Sequence, residues 1–309
     1  MRWIVREGDP KTVDAIVRAA GGDARAIADG RVFVGRRRAT RGEEPVRVGD
    51  EVRIAAPRAA RTTSKGDDVR LLHRTRDWLA LEKPAGIPTI PDHGGAEGSL
   101  LAHAARLAKM DPSAVHPTSR LDREVGGVVV FALTARARDQ AKRARDEGRY
   151  ERRYVAIAAQ APDPEEGTWT FPIGRAADPR HRAVNGKDAT HAETVYRTVA
   201  RAGAFALLAI APRTGRTHQI RVHASHAGAA LLGDRVYGTG SRLRLPSGQV
   251  HEVSQVALFA AWVRLDGVLD VRVGPSPGER KLRDLWTTLG GDAGAWDIAV
   301  SCVLGRPSS

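Results

Sequence analysis

Four strand-like segments, ERRYVAIAA, TWTFPIG, ETVYRTVA and FALLAIA, follow one another between residues 151 and 211 with no helical pattern between them. Consecutive strands of this kind rule out a sheet built by strict strand–helix alternation and favour the α+β class. Upstream, WLALEKP reads as a strand ending at Pro84, GSLLAHAARLAKM as a helix, GGVVVFALT as a buried strand and TARARDQAKRARDEG as an exposed basic helix. With 309 residues, 42% of them hydrophobic, the chain can bury one large core and a smaller companion.

The smaller unit is expected over residues 1–57. It opens with helical patterns over 10–20 and in DARAIADG, continues with an alternating RVFV strand, turns at GRRRATRG and returns through GDEVRI. Residues 58–73, containing RAARTTSKGDD, lack periodicity and read as a linker. The main domain is expected over 74–290, and 291–309, with GDAGAW and GRPSS, as a poorly ordered tail.

Charge narrows the partner class. Basic residues number 49 against 36 acidic ones, a net charge of +13, as expected of a protein that meets a polyanion. Only seven of the cations are lysines, which fits coding bias; such bias exchanges Lys for Arg without creating excess cations. Cys302 is the single cysteine, which excludes intramolecular disulfides and cysteine zinc sites and fits a cytoplasmic setting. MRWIVREGDP has no apolar leader core, and no apolar run approaches a membrane span.

Residues 116–131, HPTSRLDREVGGVVVF, place Asp122 between Arg120 and Arg123 immediately before a strand, where ordinary strand entry needs no acid. It is either an ion-pair partner or a chemical group. Together with EKPAGIP (82–88), RRYVAIA (152–158), PRTGRTHQIRVHASHAG (212–228) and LGDRVYG (232–238), this segment resembles the RluA/RsuA superfamily of RNA pseudouridine synthases, and its RluA branch most closely. Residues 1–57 resemble the αL RNA-binding module of a small-subunit ribosomal protein, on DGRVFVGRRRATRGEEPVRVGDEVRI.

The resemblance implies a mixed, mainly antiparallel sheet with a central cleft, and isomerisation of uridine to pseudouridine in ribosomal or transfer RNA. It makes Asp122 the catalytic acid, acting as nucleophile or as base. A carboxylate in an RNA-filled pocket needs a cation close by, because burial and phosphate fields favour its neutral form. Arg221 is the position the family pairs with it. Arg120 and Arg123 are local alternative partners, and Arg120 is also the candidate for insertion where the flipped nucleotide leaves the stack. Tyr154, on its own a half-buried core tyrosine, becomes by resemblance the residue that stacks on the target base and helps remove the C5 proton.

Leu121 and Ile220 are expected as apolar walls, Arg216 and His218 as loop or phosphate contacts, and Lys83 as a phosphate contact or a plain surface lysine. Arg36, Arg37 and Arg38 are expected to touch RNA, Gly126 and Gly127 to let backbone approach the substrate, and Asp234 and Tyr237 to hold the cleft wall. Isomerisation needs no redox change or donor, so no cofactor is expected. A metal at His218, His223 and His226 is disfavoured, since no carboxylate or thiolate joins them at ligand spacing. A monomer is the family expectation. Ser119 stands where the branch usually has His, and EVGG (124–127) stands where it usually has a Thr-Ser-Gly or similar turn, which bears on target choice more than on chemistry. The rival readings are a silent RNA-binding factor and a metal-dependent nuclease.

Overall fold

The computed structural model describes residues 2–21, 25–28, 32–35, 37–39, 41–54, 68–91, 98–244 and 248–302. They fall into two compact units, 1–63 and 64–309. In the first, strands β1 (Arg2–Ile4), β2 (Val32–Val34), β3 (Arg37–Arg38) and β4 (Glu51–Ile54) form an antiparallel sheet ordered β1-β4-β2-β3. Helices α1 (Val13–Ala19) and α2 (Arg25–Ala28) accompany it. Val13, Ile16 and Val17 recur at helical spacing and are buried with Val32, Val52 and Ile54, a core of small β-branched side chains. The sequence pattern gives no sign of β1.

The second unit opens with β5 (Arg70–Arg74), β6 (Trp78–Lys83), α3 (Leu100–Ala108), β7 (His116–Pro117), β8 (Gly126–Ala132), α4 (Ala135–Asp146) and β9 (Tyr150–Ala158). Next come β10 (Glu166–Trp169), a small sheet of β11 (Ile173–Arg175), β12 (Arg182–Val184) and β13 (Lys187–Thr190), and the long pair β14 (Thr194–Ala202) and β15 (Phe205–Pro212). After α5 (Gln219–His226) and the hairpin β16 (Arg242–Arg244) with β17 (Val250–Glu252), the chain ends with β18 (Leu258–Leu265), β19 (Leu269–Arg272), α6 (Pro277–Thr288) and α7 (Ala293–Ser301).

Ten strands make one mixed sheet, ordered β10-β14-β15-β9-β18-β8-β6-β5, with β19 against β18 and β7 against β8. Every pairing is antiparallel except β18 with β8. The expected α+β class and mainly antiparallel sheet are therefore observed. β6 and β8 are buried at every position, which is why residues 78–81 and 128–132 read as unbroken apolar runs rather than alternating ones, although β6 also buries Glu82 and Lys83. α4 is capped by Thr134, whose side chain accepts from the Ala137 amide, and it buries only Ala137, Ala141 and Ala144. That thin alanine stripe leaves its arginines outward.

Two expectations change. Residues 70–73 of the expected linker pair as β5 with β6; positions 58–67 lie outside the described residues. The expected tail forms α7, capped by Asp292, with Trp296 fully buried and its indole donating to Glu279 at 2.9 Å. Gly127 meets a packing requirement in addition to the expected approach to substrate. Its φ is +120°, and a Cβ there would lie 2.2 Å from the Ala260 carbonyl oxygen on β18. Trp296→Ala should cost about 3–5 kcal/mol in urea unfolding; a loss under 1 kcal/mol would show that α7 adds nothing to the core.

Candidate active site

The guanidinium of Arg221, on α5, is 4% exposed and carries two carboxylates. Its Nε donates to Asp234 Oδ2 at 2.7 Å and its Nη2 to Asp234 Oδ1 at 2.8 Å, while Nη1 donates to Asp122 Oδ2 at 3.0 Å. A bidentate pair fixes both the plane and the rotation of a guanidinium. Asp234, 1% exposed, is fixed in turn because its Oδ1 also accepts the amides of Val236 and Tyr237. Burial alone would raise Asp234, but the Arg221 bonds and these amides hold it below the ordinary aspartate value. Burial likewise works against the Arg221 cation, and the two aspartates more than offset that and hold it charged.

Asp122 lies in the loop between β7 and β8 with its side chain 24% exposed. The loop is clamped at Leu121, whose amide donates to Thr89 Oγ1 at 3.0 Å and whose carbonyl accepts from it at 2.9 Å. His218 enters α5 in a left-handed conformation, φ +57°, which brings its Nε2 4.0 Å from Asp122 Oδ2. Its Nδ1 is 2.7 Å from the Tyr237 hydroxyl. Burial, despite nearby Asp122, lowers its pKa and so favours the neutral ring.

Arg120, Leu121, Asp122, Arg123, Tyr154, Arg216, His218, Ile220 and Arg221 all line one cleft of ≈ 1090 Å³. Leu121, Ile220 and Tyr154 are buried in its wall, and Arg120 and Arg216 are exposed at its rim. Tyr154 sits on β9 between Ile210 of β15 and Ala260 of β18, and burial pushes its hydroxyl up to about 12. Arg216 is steadied by donating from Nε to the His191 carbonyl at 2.9 Å. Gln219 latches the approaching loop, accepting from Thr214 Oγ1 at 2.7 Å and from the Arg216 amide at 2.9 Å.

Residues 77–226, which carry Asp122, Tyr154 and Arg221, match the RNA pseudouridylate synthase family. The chain belongs to that family. It is 36% identical to an RNA pseudouridine synthase of Chloroflexus aurantiacus over 65% of each chain. It is 30% identical to ribosomal large subunit pseudouridine synthase D of Nitrosomonas europaea, over 66% of this chain and 62% of that one. It thus spans about two thirds of the length of these relatives. The structure of human RNA pseudouridylate synthase domain containing 4 shares the fold, with a TM-score of 0.55 and 24% identity over 71% of this chain and 92% of that one.

Within this synthase-family cleft, Ser119 has a specific partner. The Tyr150 hydroxyl lies 3.2 Å from Ser119 Oγ and 2.9 Å from Thr118 Oγ1. The Tyr150 ring has the guanidinium of Arg145 5.6 Å from its centroid and that of Arg152 at 5.7 Å. Arg145 also donates to the Thr118 carbonyl, and Arg152 to the Thr214 carbonyl at 2.7 Å. Tyr150 thus ties α4, β9 and the Asp122 loop together. Sequence reasoning missed it, although it shares a strand face with Arg152 and Tyr154 at the period of two.

The histidines have separate tasks. His223 is buried, with Nε2 2.9 Å from the Phe171 carbonyl and Nδ1 3.0 Å from Thr194 Oγ1, and His226 meets the Phe171 ring edge-on at 4.5 Å. Among the described residues no group of three His, Cys, Asp or Glu side chains is placed to hold a metal ion. In the first unit Arg37 is exposed and ion-paired with Glu44. Arg38 pairs through its backbone with Phe33, and Arg36 lies outside the described residues.

Lys83 is neither a phosphate contact nor a surface lysine. It is 0% exposed, and its Nζ donates to the carbonyls of Ile87 at 2.8 Å, Pro84 at 3.1 Å and Arg123 at 3.2 Å. It joins the turn after β6 to the residue following Asp122. Burial lowers it to about 7, against the opposing pull of Asp122. An unfolded lysine titrates near 10.4, so between about 7 and about 10 the unfolded chain holds a proton that the folded chain has released. The depressed value therefore contributes stability at alkaline pH that is lost as pH falls toward 7. In urea unfolding, the stability of the protein relative to Lys83→Met should grow from about pH 7 to about pH 10; a flat difference would mean the amine titrates like a surface lysine.

Proposed function

We propose that this protein isomerises uridine to pseudouridine in structured RNA, with Asp122 as the catalytic carboxylate. The observation that carries the reading is the Arg221 contact to Asp122 at 3.0 Å, on the wall of a cleft that also holds Tyr154, in a chain of this family. In the reaction the N1–C1′ bond breaks, the base turns, C5 bonds to C1′, and the C5 proton leaves while N1 gains one. The chain supplies a carboxylate beside the sugar, which either bonds to C1′ or takes the C2′ proton, and an enclosing pocket for the extruded base. Extrusion costs a few kcal/mol, which contacts to flanking phosphates offset.

Tyr154 supplies the stacking face. With its hydroxyl near 12 it is a neutral phenol at pH 7, so it relays the C5 proton rather than keeping it, its oxygen accepting that proton as its own passes to water. Ribosomal RNA is the favoured substrate over transfer RNA, supported by the relative named for the large ribosomal subunit and by the arginine turn of the first unit. That unit is read as an αL-type RNA-binding module. No described helix is long and apolar enough to cross a membrane, and the reading takes the protein as a cytoplasmic monomer without a cofactor.

RNA tritiated at uridine C5 should release label to water on incubation with the protein, and no release from folded protein with any RNA fraction would end this reading. Asp122→Ala should abolish release while RNA still binds; release at the normal rate would remove the carboxylate from the chemistry. Tyr154→Phe should keep binding and slow release roughly 10²–10⁴-fold, and normal turnover would leave the ring without a hydroxyl role.

A further inference from the structure

The small sheet beside the cleft sets three cations abreast. Arg182 of β12 lies opposite Arg175 of β11, and Lys187 of β13 lies opposite the same Arg175 on its other side. Directly opposed residues of neighbouring strands share a face, and like charges so placed destabilise a sheet. One acid answers them locally, Asp188, which pairs with Arg175. Arg182 turns its Nη1 onto the carbonyls of Pro179 and His181, both at 2.8 Å, which orients its guanidinium without neutralising it. Lys187 is exposed.

These three side chains line a pocket of ≈ 290 Å³ whose opposite wall is Gly215, Arg216 and Thr217. The same three residues also wall the Asp122 cleft. A polymer strand with one unit in the cleft therefore crosses Arg216 to enter the second pocket, where four cations face one carboxylate. A phosphodiester suits such a place, because its two free oxygens only accept hydrogen bonds and its charge relieves the opposed row.

We infer that the Arg175–Arg182–Lys187 pocket binds a phosphodiester of the substrate RNA strand, outside the target nucleotide. The inference rests on the reading of the cleft as a pseudouridine synthase site. Because the row discriminates charge and not base, it sets the path of the strand and contributes affinity without sequence preference.

Two substitutions with opposite signs test it. Lys187→Ala, at an exposed position, should weaken binding of an unmodified large-subunit ribosomal RNA transcript about fivefold to tenfold. It should also lower the slope of log Kd against log salt by about 0.7, the value for one single-strand phosphate. Asp188→Asn removes the opposing charge at φ +54°, where asparagine is readily accommodated. It should tighten the same RNA roughly twofold to fourfold. Tritium release at saturating RNA should stay within about twofold of normal in both variants. Unchanged affinity and slope in Lys187→Ala, or weakening in both variants, would overturn the subsite. Absence of tritium release from the unsubstituted protein would instead defeat the functional reading, and the binding measurements would still decide the pocket.

Discussion

A buried guanidinium shared unequally between two carboxylates is the constraint on which the site depends. Taking Arg221 out of water costs several kcal/mol, and leaving it without a counter-ion would be strongly destabilising. Asp234 meets that cost with a bidentate contact and is itself held by two backbone amides, so the arginine has one orientation. Its Nη1 is then aimed at Asp122. The Tyr237 ring, 5.1 Å from the guanidinium carbon, covers the cation and passes its hydroxyl to His218. The catalytic candidate is thus placed by a group whose own position is over-determined elsewhere.

This division explains why α5 must pack where it does. Gln219 and His223 both hydrogen-bond Thr194 at the start of β14, Ile220 faces the cleft, and the loop from Pro212 is tied down by Arg152 and Gln219. Arg221 is therefore fixed to the β14–β15 side of the sheet. Asp122 comes from the β7–β8 side, anchored through Thr89 and the Lys83 cage. β18 lies between the halves, antiparallel to β9 and parallel to β8, and Gly127 allows the parallel pair to close. The separation of the two charged groups is set by sheet pairing, not by the loops alone.

Much of this was legible in the sequence, for a physical reason. Period-two alternation and unbroken apolar runs report burial along a strand, so β6, β8, β9, β14 and β15 fall where the pattern puts them. Motif resemblance brought Asp122, Tyr154 and Arg221 to one cleft. Patterns report local burial and not partners, so the insertion of β18 between β8 and β9 was invisible. Lys83 was misread for the same reason. A lysine at a strand end before proline looks exposed, and what buries it includes a carbonyl forty residues away. Asp234 was read as wall rather than as the anchor of Arg221, although an acid that accepts the next two available amides signals a fixed turn. α7 was missed because its small residues carry little amphipathic signal, and its one large anchor, Trp296, gave no period.

The charge layout also bears on how a polyanion can approach an acidic centre. Asp122 contributes a carboxylate to the cleft wall beside the Arg221 guanidinium, and Asp234 is buried behind that guanidinium. Cations surround that carboxylate, with Arg120, Arg145, Arg152 and Arg216 also lining the cleft. Under the proposed reading those cations meet the phosphates, and the uncharged base is the part of the nucleotide that reaches Asp122. On that reading a base entering the cleft would displace water from Asp122 while its contact to Arg221 is already in place, and the attraction between them would strengthen as the local dielectric falls. With both partners fixed by their own hydrogen bonds, the proposed chemistry at Asp122 would meet little opposing reorganisation.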